Sequence, residues 1–352
     1  MLQLSREPAA PWRIWLRTTG YHLRPPRAVP HVATQRRRQD ALLAGNRAGL
    51  TQCAQIRLEQ RLGPLPTIVV GGFVPDATEA LYLLRGQLLQ QGSIYYFHYP
   101  HRGFSTELFL AQLEDLIEEV TNRTGHRPVL VGISFGGGMI LEMLRRAAER
   151  RDRLTLAGLV LISPVACLED LVDPAEPKPT TLLGRVLRPY LATEGTADAA
   201  VVDKSRAVFL KMFESGVQNK AALRFLLTPE EARRLRAAVA ATINAIDPQG
   251  ATERVQALRC LPAPGAPGVL HAGPTLILYA EKESAVLVEN SPTRLRLESY
   301  TRDWFPAGTC QTVTHSPDNP VQHASLIFHS QCFAPLLASF YQKLRQRRRL
   351  AA

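Results

Sequence analysis

The sequence predicts an α/β fold, with a mostly parallel central sheet, helices on both faces and one helical insertion. Two observations predict the sheet. Short apolar runs rich in β-branched residues, such as Thr67–Val70 and Val129–Ile133, alternate with stretches whose apolar residues recur every three or four positions. Strands alternating with helices imply right-handed crossovers, and hence parallel pairing. The third observation predicts the insertion: the alternation stops near Val165 and resumes only at Thr275.

The first 62 residues read as a basic, irregular arm, in which eleven arginines face only Glu7, Asp40 and Glu59. Trp12 and Trp15 interleave with the arginines, and Pro25, Pro26 and Pro30 break any long helix. Three readings stay open. The arm packs its tryptophans on its own domain; or it is a membrane-surface anchor, since Trp and Arg suit a headgroup layer; or it is a transit peptide, which would also be serine-rich, as this segment is not. Nucleic-acid binding is not expected, because no recognition fold or stacking platform is visible.

From Thr67 the texture changes. Thr67–Val70 is a strand, and Gly71-Gly72-Phe73 turns out of it. Asp76 and Glu79 have capping-box spacing, which predicts a helix to about Gln90. Ser93–Tyr99 is the next strand, and Phe109, Leu113, Leu116, Ile117 and Val120 mark one helical face. Val129–Ile133 is a strand followed by a helix with Ile140, Leu141, Leu144 and Ala148 on one side. Leu156–Ile162 is another strand, closed by Ser163-Pro164.

The insertion begins with proline punctuation and becomes helical. Thr228-Pro229-Glu230-Glu231 is a helix start with N-cap, N1 proline and acidic first turn, and Leu235, Val239, Thr242 and Ile246 continue as its apolar stripe. Thr275–Tyr279 resumes the sheet, residues 291–305 read as a helix, and Cys310–Thr314 reads as the last strand. A closing helix presents Phe333, Leu336, Leu337, Phe340, Tyr341 and Leu344 on one side and ends in arginines, which suit a helix C-terminus.

Bulk properties narrow the class. A chain of 352 residues, 45% hydrophobic, suits one large domain or a domain with an insertion. Its five cysteines are scattered and odd in number, without C-x-x-C spacing, so they read as reduced thiols rather than a disulfide scaffold or a zinc site. No apolar run reaches membrane-spanning length and no secretory signal opens the chain, so a cytoplasmic location is expected, peripheral to a membrane if the arm is an anchor. The net charge of +11 favours anionic partners or surfaces and says nothing about fold.

The chemistry centres on Gly132-Ile133-Ser134-Phe135-Gly136. This is a G-x-S-x-G pattern between a strand and a helix, the context that a nucleophile elbow requires. A glycine-rich turn with an idle serine would carry the same letters. The context nevertheless favours a serine presented at the carboxyl edge of the sheet, above a helix N-terminus whose N–H groups suit a developing oxyanion.

The order of these motifs resembles that of α/β-hydrolase-fold serine hydrolases over about residues 66–345. The resemblance implies Ser134 as nucleophile and His323, in the loop before the closing helix, as its base, with His315 and His329 as alternatives. It implies Glu283 as the acid, where the family often has Gly-x-x-Asp, with Glu281 a rival and Glu169 or Asp170 further candidates. The backbone N–H groups of Phe73 and Phe135 would form the oxyanion hole, with Gly71-Gly72-Phe73 standing where the family often has His-Gly-x.

The expected organisation is an arm over residues 1–62, a core over 63–164 and 269–352, and a cap over 165–268. The expected activity is hydrolysis of a small-molecule ester or thioester through an acyl-enzyme, without cofactor or metal. An acyltransferase with the same residues and a non-catalytic interaction protein of the same fold are the alternatives.

Overall fold

The computed structural model describes residues 28–45, 51–152, 154–192, 195–217, 228–263, 265 and 268–351. Trp12 and Trp15, on which the membrane-surface reading of the arm rests, lie outside the described residues.

Eight strands form one sheet: β1 (Val29–His31), β2 (Gln55–Glu59), β3 (Thr67–Val70), β4 (Ile94–His98), β5 (Val129–Ile133), β6 (Gly158–Ile162), β7 (Thr275–Ala280) and β8 (Gly308–Val313). Their spatial order is β1-β2-β4-β3-β5-β6-β7-β8. Every pairing from β4 to β8 is parallel, and β2 alone runs the other way, antiparallel to β1 on one side and to β4 on the other. Strands β3 to β7 are buried along their whole length, as expected where helices cover both faces. Gly132 of β5 lies opposite Val70 of β3 and Leu161 of β6, so the strand leading into Ser134 is at the centre of the sheet.

The helices are α1 (Arg37–Ala44), α2 (Ala77–Ala80), α3 (Arg85–Leu89), α4 (Thr106–Thr124), α5 (Phe135–Glu149), α6 (Leu182–Leu191), α7 (Ala199–Val217), α8 (Pro229–Ala245), α9 (Pro248–Cys260), α10 (Pro292–Ser299), α11 (Thr301–Trp304) and α12 (Ser330–Ala351). One apolar cluster fills the sheet face under α4 and α5, with Phe109, Leu113, Leu144 and Phe135 in it. A second fills the opposite face, where Phe333, Leu337 and Tyr341 of α12 pack. Among the described residues no helix is long and apolar enough to cross a membrane.

The boundary expected after residue 62 is corrected by β1 and β2, which belong to the sheet. In β2 the sequence alternates, with Ile56 and Leu58 buried and Arg57 exposed. One arginine that looked unmatched, Arg38, has distant partners. Arg38 of α1 reaches Glu114, Asp115 and Glu118 of α4, and Glu119 accepts from the Thr34 N–H. Buried Glu59 pairs with Arg85 and accepts from the Tyr96 hydroxyl at 3.1 Å.

Smaller differences have equally local causes. The helix expected from Asp76 to Gln90 is two short pieces, α2 and α3. The Asp76 carboxylate caps nothing and instead meets His98 Nδ1 at 3.2 Å. The helix expected over 291–305 is broken at Tyr300 into α10 and α11. In α8 the Thr228–Glu231 capping box forms, but the buried stripe runs Leu235, Val239, Ile243 rather than through Thr242. Residues 165–268 hold no strand among those described and supply helices α6 to α9.

Candidate active site

Ser134 stands between β5 and α5 at φ 51° and ψ −120°, in a region that a non-glycine residue rarely occupies. Its N–H donates to the Ile162 carbonyl at 2.8 Å, and its own carbonyl accepts from Gly137 and Val165. The backbone crossing there leaves no room for side chains. A Cβ on Gly136 would stand 2.3 Å from the Gly71 carbonyl oxygen, and one on Gly132 would stand 2.7 Å from Gly137 Cα. The two glycines of the pattern therefore let α5 pass against β3 and β5, which pushes Ser134 out at the carboxyl edge.

At that edge five loops converge. Ser134 Oγ lies 2.9 Å from His323 Nε2, and His323 Nδ1 bonds Glu283 Oε2. Glu283, three residues past the end of β7, is 2% exposed. Its other oxygen, Oε1, accepts from the Ser163 hydroxyl at 2.7 Å and from the Ala280 N–H at 2.7 Å. Burial alone would raise its pKa, but the nearby His323 and these three hydrogen bonds hold it below the ordinary carboxylate value. An ionised Glu283 can only accept. The His323 proton is thus drawn to Nδ1, and Nε2 is left free to accept from the Ser134 hydroxyl.

Ser163 and Ala324 share with Ser134 a positive φ, 44° and 47°. Strained backbone of this kind persists only where the surroundings over-determine it, and it clusters at functional sites. Ser163 follows β6 and is wholly buried. It donates to Glu283, and its hydroxyl receives the Ala324 N–H at 3.3 Å. From sequence it is only the serine closing a strand; the contact that matters is with a residue 120 positions away.

The other candidates are engaged elsewhere. Glu281 accepts from the backbone N–H groups of His315 and Val321, pinning the loop after β8. Asp170 is buried and accepts from the Ala166, Cys167 and Thr293 N–H groups and the Ser291 hydroxyl. Glu169 is exposed. His329 bonds Ser325 Oγ and Asn319 Oδ1, and burial together with His315 pushes its pKa down to about 4. The His315 and His329 rings pack edge-on at 6.0 Å.

Phe73, in the loop after β3, and Phe135, the first residue of α5, flank the serine, with their rings stacked at 4.4 Å. Gly72 is so close that a Cβ there would stand 3.2 Å from Ser134 Cβ. The backbone between Gly72 and Phe73 therefore runs directly beside the serine, and Phe135 opens α5 on its other side.

Ser134 and His323 open into a cavity of about 530 Å³. Its walls are largely apolar: Met212 and Phe213 of α7, Val239 and Ile243 of α8, Leu183 of α6 and Ile327 of the His323 loop. The insertion is held over this edge by Phe213 against Phe328 at 5.4 Å, and by the Leu182 and Leu183 N–H groups on the Ala285 carbonyl.

Residues 68–317 match the model of the alpha/beta hydrolase family. The chain belongs to that family. Among solved structures, this alpha/beta hydrolase is similar to an esterase from Exiguobacterium antarcticum, at 16% identity and a TM-score of 0.55 over 82% of this chain and 96% of that one. It is also similar to an esterase from a Rhodococcus species, at 15% identity and a TM-score of 0.52 over 83% and 96% of the two chains. A variant of an epoxide hydrolase from Bacillus megaterium shares 11% identity and a TM-score of 0.57 over 82% and 97%. At these identities the likeness is one of fold. A comparison with curated protein sequences returned no significant match.

Proposed function

We propose that this alpha/beta hydrolase cleaves a carboxylic ester or thioester through an acyl-enzyme on Ser134. The observation that carries the reading is the unbroken hydrogen-bonded line Ser134–His323–Glu283, opening into a largely apolar cavity. A serine hydroxyl is a poor nucleophile until a base takes its proton, and His323 Nε2 is placed to take it. Glu283 holds the imidazole in the required tautomer and stabilises the imidazolium that forms.

In this reading the substrate carbonyl carbon accepts the Ser134 oxygen. Negative charge builds on the carbonyl oxygen, which the N–H groups of Phe73 and Phe135 stabilise. His323 returns its proton to the departing alkoxide or thiolate. A water then replaces the leaving group, His323 takes its proton, and the acid is released as Ser134 is reprotonated. Helices α6 to α9 act as a cap whose apolar walls receive the acyl group and exclude bulk water.

The test is labelling with a fluorophosphonate probe alongside turnover of a short p-nitrophenyl ester. Wild type labels once and turns over. Ser134→Ala does neither, and His323→Ala loses turnover by several orders of magnitude. His315→Ala and His329→Ala keep most activity. Labelling that survives Ser134→Ala moves the nucleophile elsewhere, and a folded wild type that neither labels nor turns over makes the chain a non-catalytic member of the family.

A further inference from the structure

Arg254 has a place that neither the fold nor the proton relay explains. It comes from α9, the last helix of the insertion, yet it is 2% exposed in the core beneath the Ser134 edge. Among the described residues no carboxylate stands within ion-pair distance of it, although Asp76 and Glu253 act on its charge from farther off, and its Nε has no hydrogen-bond partner. Burying a guanidinium without a directly paired carboxylate is costly, so what it does hold is informative.

Arg254 Nη1 donates to the Phe73 carbonyl at 3.1 Å, and Nη2 donates to the Pro100 carbonyl at 3.1 Å. Its guanidinium carbon lies 5.1 Å from the centre of the Tyr99 ring. Tyr99, in turn, donates its hydroxyl to the Gly71 carbonyl at 3.1 Å. The two residues thus grip the carbonyls of Gly71 and Phe73, on either side of the Gly72–Phe73 peptide that runs beside Ser134. The Tyr99 ring also packs 5.6 Å from that of Phe135, under the other flank of the serine.

The seat of α9 is built to keep Arg254 there. A Cβ on Gly250 would stand 1.8 Å from the His101 carbonyl oxygen, so the helix touches the loop after β4 through bare backbone. One turn on, Glu253 accepts the Phe104 N–H at 2.7 Å.

We infer that Arg254, with Tyr99, is a positioning residue that fixes the Gly71–Phe73 backbone so that the Phe73 N–H points at the oxyanion. The inference rests on the proposed acyl-enzyme reaction. It makes the insertion a structural partner of the oxyanion site as well as its cover. Only a donor held in place before the reaction stabilises developing charge without reorganisation. Arg254 supplies two N–H groups in a fixed planar fork, which a flexible lysine cannot match.

The test compares wild type with Arg254→Met, Arg254→Lys and Tyr99→Phe. Turnover is expressed per active site titrated by the fluorophosphonate, so that unfolded protein does not count. Losing an oxyanion donor outright costs about 10²–10³ in kcat, and displacing one should cost Arg254→Met about 10- to 100-fold with KM nearly unchanged. Affinity for a trifluoromethyl ketone should weaken in step with kcat/KM, because that adduct carries the oxyanion. Arg254→Lys should recover part of the loss. Tyr99→Phe, which removes one hydroxyl and keeps the ring, should cost severalfold and serves if Arg254→Met does not fold. Amide hydrogen exchange in residues 71–74 should quicken in each variant relative to β3 and α5.

Unchanged turnover per titrated site overturns the inference, even with faster exchange, because Arg254 is then a packing residue only. If wild type neither labels nor turns over, the hydrolase reading has failed. Exchange alone then decides the loop: quickening supports the grip, and no change overturns it.

Discussion

Glu283→Gln is the most discriminating single substitution at this site, because geometry limits what the amide can do. The glutamate accepts three hydrogen bonds: His323 Nδ1 on one oxygen, and the Ser163 hydroxyl and Ala280 N–H on the other. Glutamine has one oxygen and one NH₂ to put in the same two places. With the oxygen toward His323, the NH₂ faces the Ala280 N–H, donor against donor in a site that is 2% exposed. Such a buried mismatch costs about 1–3 kcal/mol. With the NH₂ toward His323, the ring must accept at Nδ1 and carry its proton on Nε2, which cannot then take the Ser134 proton.

The second arrangement satisfies Ala280 and Ser163 and should dominate, so the protein stays folded and loses turnover. A wrong tautomer at a Ser-His-acid site costs about 10⁴ in kcat in the protease precedent, and about 10²–10⁴ is expected here. The assay is p-nitrophenyl ester kinetics with thermal unfolding, and Glu281→Gln serves as control. Glu281 accepts two backbone N–H groups near His315, so its loss should cost about 1 kcal/mol of stability and severalfold at most in kcat. A loss below tenfold for Glu283→Gln, or a larger one for Glu281→Gln, refutes this assignment of the acid.

Two further outcomes test the scaffold. Gly136→Ala should abolish soluble expression or cost more than about 3 kcal/mol, because its Cβ would lie 2.3 and 2.5 Å from backbone oxygens that cannot rotate away; near-wild-type unfolding by urea would refute the close crossing at the elbow. Glu79 is half-buried beside Asp76, and desolvation with that charge pushes its pKa from 4.5 up to about 7. The native state therefore holds a proton that the unfolded state releases, and this group's contribution to stability falls as pH rises from about 4.5 to 7. Glu79→Gln should accordingly gain on wild type between pH 5 and pH 8, by at most about 3 kcal/mol in urea unfolding; a pH-independent difference would refute the shift.

Much of the fold is legible because its signals are local. Val129–Ile133 and Thr275–Tyr279 are apolar enough to be buried strands wherever they sit, and Thr228-Pro229-Glu230-Glu231 starts a helix by its own capping chemistry. The glycines around Ser134 are legible for the same reason: a sharp strand-to-helix crossing tolerates few residues, so the constraint is written within five positions. His323 is legible only through the order of motifs, since histidines at 315 and 329 lie within the same stretch.

Other features depend on partners far along the chain. Arg38 looks like one charge in a basic arm until α4 supplies Glu114, Asp115 and Glu118 to meet it. Gln55–Glu59 is too short an alternation to announce a strand, and its pairing with β4 settles it. Nothing in Ala280-Glu281-Lys282-Glu283 separates the two glutamates. They differ because the chain turns Glu283 inward to Ser163 and His323 and leaves Glu281 to hold backbone.

The sequence by itself determined the alternation of strands and helices, the place of the insertion and the sharp turn at Ser134. Each of these is decided by side-chain periodicity or backbone sterics over a few neighbouring residues. The tertiary structure decided among the candidate histidines and glutamates, placing His323 on Ser134 and Glu283 on His323, and it alone showed that Ser163 supports the acid and that Arg254 reaches from the insertion to the Phe73 carbonyl. Hydrogen-bond partnership depends on ångström-scale distances between chain ends brought together by the sheet, and no spacing along the chain encodes those distances.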